Sequence, residues 1–211
     1  MADHTHKKKD LTMSAISIFS EHLQDLRNSG LTDETIRMAG IFSIHGHELT
    51  RYFGKSYLSV KSAMVFPYGG GFYRAKLFPA IHTKDGKIIR YLQRKGSAPR
   101  IYIPKGVEKY LLDPNVTLGI TEGEKKALAA FQNGLPCIAV AGVWSWLSQG
   151  RPISDFDLIA WKHRRILIIG DADVWLPKND NLRRAVFALA KEIESRGAKS
   201  DLIILPGEVE L

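Results

Sequence analysis

The chain has one cysteine, Cys137, among 211 residues. A single thiol excludes an internal disulfide and a cysteine-rich zinc ribbon within this sequence. Long hydrophobic runs are also missing. None approaches the roughly 18–20 apolar residues that span a bilayer. The opening MADHTHKKKD lacks the apolar core of a signal peptide. Internal repeats and low-complexity tracts are absent too. These gaps lead to the expectation of a reduced, cytoplasmic protein. What remains is ordinary globular composition, 45% hydrophobic and 25% charged. That excludes a wholly disordered chain, which cannot bury enough apolar surface to offset its ordering entropy.

Acidic residues are scarce in one place. Residues 51–112 carry 13 basic side chains against 2 acidic ones, whereas residues 1–50 and 113–211 are each slightly acidic. The formal net charge of +8 therefore comes from a single middle segment. Such a concentration suits a phosphate backbone, because each neutralised phosphate releases condensed counterions. The plain alternative is a solvated basic face.

Residues 1–10 read as a disordered tail, with His4 and His6 facing solvent. Ile16, Phe19, Leu23 and Leu26 recur at helical spacing, and Gly30 is a stop signal. Thr32 is positioned to cap a second short helix through Ala39, ended by Gly40. Strands are expected at Ala63–Pro67, Gly71–Pro79 and Ile88–Arg94, with a hairpin turn at Lys84-Asp85-Gly86-Lys87, and again at Arg100–Ile103. From Asp113-Pro114 onward the pattern changes. Strands at Leu118–Thr121, Cys137–Val140, Ile166–Ile169 and Leu202–Leu205 alternate with helices over 123–132 and 182–193. Alternation of this kind predicts a parallel sheet with crossover connections.

In open parallel sheets, ligands bind beyond the carboxyl ends of the strands. Glu122 follows the strand ending at Thr121. Asp171 and Asp173 follow the strand ending at Ile169. If those strands lie near each other, three carboxylates converge. Hard oxygen ligands on strand ends suit Mg²⁺ held by carboxylates and substrate phosphates. Such ions stabilise the attacking and leaving oxygens of phosphoryl transfer. The alternative is that Glu122 and Asp173 only cap a helix start and a turn.

The segments Ile120-Thr121-Glu122-Gly123-Glu124-Lys125-Lys126-Ala127 and Ile168-Ile169-Gly170-Asp171-Ala172-Asp173 resemble the two motifs of the Toprim domain. That domain is shared by bacterial-type primases, type IA and type II topoisomerases, OLD-type nucleases and recombination-repair proteins. The segment from Arg90-Tyr91-Leu92 to Ser97-Ala98-Pro99-Arg100 resembles the stretch just before Toprim in bacterial-type primases. It is closer still to the primase domains of plasmid and phage replication proteins, often fused to helicases. His22-Leu23, Asp25-Leu26 and Ser29-Gly30-Leu31 are similar to their opening.

This resemblance implies an α/β fold. A Toprim unit, a parallel sheet flanked by helices over residues 113–206, would follow a smaller basic α+β subdomain over 11–112. It implies a DNA primase core, a nucleotidyltransferase making short primers from nucleoside triphosphates on a single-stranded DNA template. The setting would be replication of a plasmid, phage or mobile element, with a replicative helicase as partner. Glu122, Asp171 and Asp173 fall on the family's catalytic and metal positions, for Mg²⁺ or Mn²⁺; no zinc is expected. Arg74, Lys76, Arg90, Arg94, Lys95 and Arg100 fall in the part that faces template and nucleotide, and Lys125 is placed to meet nucleotide phosphates. A Toprim nuclease and a non-catalytic nucleic-acid-binding module are the alternatives.

The sequence departs from the family in three ways. Many cellular primases have an acid where Lys126 stands. Asp171-Ala172-Asp173 replaces the commoner Asp-Gly-Asp. The end at 207–211 stops short of further acids that related chains carry, as a fragment of a longer protein would. Glu124 reads as a fourth acid or, preferably, a helix-start charge. His45-Gly46-His47-Glu48 is a weak metal candidate on one strand face. Trp144 and Trp146 share parity and are expected in the core, with Trp175 as the base-stacking candidate. Cys137 is expected to be a buried packing residue.

Overall fold

The computed structural model describes residues 17–205 except Pro177. The sequence expectations for the tail at 1–10, for Ile16 and for 207–211 lie outside the described residues.

The chain opens with two short helices, α1 (Ser20–Arg27) and α2 (Asp33–Ala39). Thr32 caps α2, accepting from the Thr35 amide at 3.2 Å, and Gly40 closes it at φ 66°. The expected cap and stop are therefore both used. Next come β1 (Phe42–His45), a 3-10 turn and α3 (Leu49–Phe53). β2 (Ser62–Gly69), β3 (Phe72–His82) and β4 (Ile88–Gln93) complete an antiparallel sheet of order β1-β2-β3-β4.

The second half is built from β5 (Leu118–Glu122), α4 (Glu124–Gln132), β6 (Cys137–Val140), a small hairpin of β7 (Leu147–Ser148) and β8 (Arg151–Pro152), β9 (Arg165–Ile169), α5 (Asp180–Ser195) and β10 (Lys199–Ile203). The order β10-β9-β5-β6 is parallel throughout. A mixed α/β architecture with a helix-flanked parallel sheet is what the alternation predicted. Among the described residues no helix is long and apolar enough to cross a membrane.

Side-chain alternation shows how the layers stack. On β2, Ala63 and Val65 join a core with Leu49 and Phe53 of α3, while Met64 and Phe66 face the other way. There they meet Leu26 of α1, Ile36 of α2, Ala127 and Leu128 of α4, and Cys137 and Ala139 of β6. On β6 the intervening Ile138 and Val140 point to a third core with Val186, Leu189 and Ile193 of α5. A strand with apolar residues on both faces must be covered on both. The two sheets thus share the middle core, and β2 and β6 each divide two cores.

Three sequence expectations differ from the structure. Arg100–Ile103 is not a strand: only Tyr102 pairs, through reciprocal bonds of 2.8 and 2.9 Å with Ala139 at the edge of β6. The last strand begins at polar Lys199, not Leu202, because main-chain pairing with β9 sets an edge strand's limits. Trp146 is buried but Trp144 is 38% exposed. Both lie in the irregular turn after β6, where strand parity does not apply.

Candidate functional site

β5 and β9 are adjacent, in register from Leu118 opposite Ile166 to Thr121 opposite Ile169. Thr121 Oγ1 donates to the Ile169 carbonyl at 3.0 Å, tying the strand ends together. Glu122 is the final residue of β5, and Asp171 stands two residues beyond the end of β9. Gly123, at φ 88° and ψ 143°, turns the chain from β5 into α4 and donates its amide to Val140 at 2.9 Å. A left-handed φ of this size is open to glycine and strained for other residues. After Asp171 a 3-10 turn (Ala172–Trp175) carries Asp173 into solvent. Asn179 Nδ2 donates to the Asp173 carbonyl at 2.7 Å.

Glu122 feels the other two acids. Burial raises the Glu122 carboxyl above its ordinary value, and Asp171 and Asp173 push it further. Lys126 and Arg74 oppose that rise. Lys126 Nζ forms an ion pair with Asp171, joining the start of α4 to the end of β9. Among the described residues no group of three or more histidine, cysteine, aspartate or glutamate side chains is placed to hold a metal ion, so the expected convergence of three carboxylates is not formed. What the strand ends do offer is a pair of hard oxygen donors, Glu122 and Asp171, of the kind a divalent cation takes together with water and substrate phosphates.

A cleft of about 250 Å³ lies beside Glu122, lined by Arg74 and Tyr91 from the antiparallel sheet and by Glu122, Glu124, Lys125, Lys126 and Ala141 from the parallel unit; Asp171 and Asp173 are not in its lining. It is where the two sheets open onto each other. A larger hollow, about 340 Å³ between α2 and α4, has a single carboxylate, Glu34, in its lining and is remote from the strand ends. The chemistry points to the smaller cleft.

The basic residues singled out in the sequence divide into two groups. Arg74 is buried, its Nη1 2.6 Å from Glu124, which also accepts from the Tyr68 hydroxyl at 2.7 Å. Lys76 and Lys125 both grip Asp25 of α1, at 2.5 and 3.0 Å. Arg100 donates to both oxygens of Asp155 at 2.8 and 2.9 Å. Arg90, Arg94 and Lys95 are exposed. Arg74 is opposite Gln93, and Lys76 opposite Tyr91, so these four share one face. Arg90 shares the other face with Leu92, which packs into the α3 core. Arg94 and Lys95 lie beyond the end of β4.

Glu124 stands at the start of α4, as expected, but it is not solvated there. It is 2% exposed and pairs the parallel unit to Arg74 of the antiparallel sheet. Sequence reasoning missed Tyr91, whose ring lies 5.1 Å from the Arg74 guanidinium and whose hydroxyl is pushed up to about 12 chiefly by burial. Its register opposite Lys76 is the signal, and that exists only in the folded sheet. Asp25, the shared partner of two lysines, was also missed. His45 and His47 stack at 5.6 Å, but His47 sits in a 3-10 turn and Glu48 caps the His45 amide at 2.8 Å, so the strand-face pair is not formed. Trp175 packs against the third core. Cys137 is buried as expected, and burial pushes its thiol up to about 12.

Residues 108–210 match a family described as a domain of unknown function, DUF3854. No curated protein shows significant sequence similarity to the chain. Two solved structures superpose well. The zinc-binding and RNA polymerase domains of the Aquifex aeolicus primase give a TM-score of 0.61 at 13% identity, over 90% of this chain and 51% of that one. A structure described as the DnaG catalytic core gives 0.56 at 16% identity, over 93% of this chain and 67% of that one. The chain thus spans about half the length of the Aquifex structure. At these identities the likeness is one of fold: the chain has a primase-like fold that includes a helix-flanked parallel sheet.

Proposed function

We propose that this chain is the catalytic core of a DNA primase, making short primers from nucleoside triphosphates on single-stranded DNA in plasmid, phage or mobile-element replication. The observation that carries the reading is the adjacency of β5 and β9, which sets Glu122 beside Asp171 and Asp173 next to a cleft lined by Lys125 and Lys126. The fold likeness to primase structures supports it.

In this reading residues 11–112 form the template-facing part and residues 113–206 the catalytic part. Glu122, Asp171 and Asp173 would hold Mg²⁺ or Mn²⁺, which supplies Lewis-acid stabilisation of the oxygens entering and leaving phosphorus. Glu122 is held by β5, whereas Asp171 and Asp173 stand on the turn that follows β9. Lys126 meets negative charge on the incoming triphosphate. Tyr91 forms one wall of the cleft and is placed to stack on a base. Exposed Arg94 and Lys95 hold the template backbone by salt-sensitive contacts. Buried Arg74 and half-buried Lys76 and Lys125 keep the two sheets in the relation that shapes the cleft. A helicase, in the same protein or separate, would supply unwound template.

The test is de novo synthesis on single-stranded DNA with labelled nucleoside triphosphates and Mg²⁺ or Mn²⁺. Short labelled products from the wild type, lost in Asp171→Asn, are expected. Fragmented template without nucleotide requirement would instead identify a nuclease. Salt-sensitive binding alone, unaffected by Asp171→Asn, would identify a binding module.

A further inference from the structure

Of the cations around the cleft, Arg74, Lys76 and Lys125 are committed to Glu124 and Asp25, where their ion pairs hold the sheets together. Lys126 is different. One residue further round α4 from Lys125, it faces the strand ends and pairs with Asp171. Both partners are substantially exposed, at 46% and 38% for their side chains. No packing locks this pair, and exposed ion pairs hold weakly. Its two ends belong to different kinds of place: Asp171 is one of three acids at the strand ends, and Lys126 lines the cleft.

We propose that Lys126 is a stand-in cation, which neutralises Asp171 until a divalent ion binds and then turns its ammonium to the triphosphate of the incoming nucleotide. This rests on the metal reading given above. An ammonium on a carboxylate competes with a divalent ion for it, because their charges repel at close distance. A lysine suits the exchange. Its charge is a compact point on a flexible four-carbon stem, free to re-aim without moving the backbone. The cleft lies on its own side of the pair, so the released ammonium has an anion site within reach. Metal and nucleotide would then bind cooperatively, each favouring the position of Lys126 that the other needs. No covalent step is involved.

The experiment uses the whole chain without DNA. Free Mn²⁺ is titrated by electron paramagnetic resonance against the wild type, Lys126→Met, Lys126→Arg and the double variant Glu122→Gln/Asp171→Asn. Lys126→Met is expected to bind Mn²⁺ roughly tenfold more tightly than wild type, the scale of removing one unit charge beside the ion. Lys126→Arg keeps the charge and should stay near wild type. A nucleoside triphosphate at saturating Mg²⁺ should bind Lys126→Met several-fold more weakly, opposite in sign to the metal effect. Equal Mn²⁺ affinity in wild type and Lys126→Met, with binding abolished in the double carboxylate variant, would overturn the inference while leaving the metal site standing. Unchanged triphosphate affinity in Lys126→Met would overturn the transfer to phosphate. Mn²⁺ binding indifferent to Glu122 and Asp171 would overturn the metal reading and this inference together.

Discussion

The two sheets handle charge in opposite ways. Where the antiparallel sheet meets the parallel one, charge is paired and buried or half-buried: Arg74 with Glu124 and Tyr68, and Asp25 between Lys76 and Lys125. At the open end of the parallel sheet, charge is mismatched and half exposed. Three acids there have Lys126 as their ion-pair partner, and it reaches one of them. Matched buried charge fixes geometry, because removing either partner strands the other without water. Unmatched charge at the mouth of a cleft invites a mobile cation. One region is built to stay closed and the other to receive something.

That contrast can be broken by mutation, beginning at the open end. Asp171→Asn should lower primer synthesis on the order of a thousandfold, the scale of losing a group that stabilises transition-state charge. Its thermal unfolding temperature should stay level or rise, since a like-charge repulsion is relieved. A large fall in unfolding temperature would instead make Asp171 a structural residue.

At the closed end the expected pattern reverses. Glu124→Gln leaves Arg74 buried beside a neutral partner and should cost about 3–5 kcal/mol. For a chain of this size that is roughly 10 °C in unfolding temperature, read by calorimetry. Loss of activity in this variant should track loss of fold.

A related test concerns Arg164, which is fully buried and makes no carboxylate ion pair among the described residues. It donates to the carbonyls of Leu111 at 2.7 Å, Asp113 at 2.6 Å and Val116 at 2.9 Å, and also to those of Tyr110 and Ala160. It staples the segment entering β5. Arg164→Met should cost about 3 kcal/mol by leaving buried acceptors unpaired, measured by chemical denaturation.

The smallest effect is at Asp25. Burial alone would raise its carboxyl, but hydrogen bonds and charge from Lys76 and Lys125 outweigh this and lower it. A carboxyl lowered in the folded state contributes stability that is complete above its ordinary pKa. That contribution fades as pH falls through the lowered value. Asp25→Asn should therefore be less stable than wild type near neutrality, and the difference should shrink in acid below about pH 4. A gap that is constant with pH would contradict the assignment.

Local features of this fold were legible in sequence, and partnerships were not. Thr32 and Gly40 announced α2 because cap chemistry is local. The apolar run Ile166–Ile169 announced β9 because burial on both faces leaves no polar positions. The acids at the ends of β5 and β9 followed from those strands. Their adjacency did not, since strand order is a long-range property. The basic residues show the same division. Their concentration was visible, but Arg74, Lys76 and Lys125 spend their charge on Glu124 and Asp25, partners 50, 51 and 100 residues away. Arg90 lies on the face of β4 that belongs to Leu92 and the α3 core, and Arg94 lies beyond the strand. Charge density identifies a surface only when its internal partners are known.

The central claim is that the ends of β5 and β9 form one site. The most direct measurement is a double-mutant cycle on single-turnover nucleotide incorporation, using Glu122→Gln, Asp171→Asn and the two together. Groups that hold the same ion act as a unit, so the double variant should lose little more than the worse single variant. Losses that multiply would mean that the two carboxylates act independently, and the account of a shared site would fail.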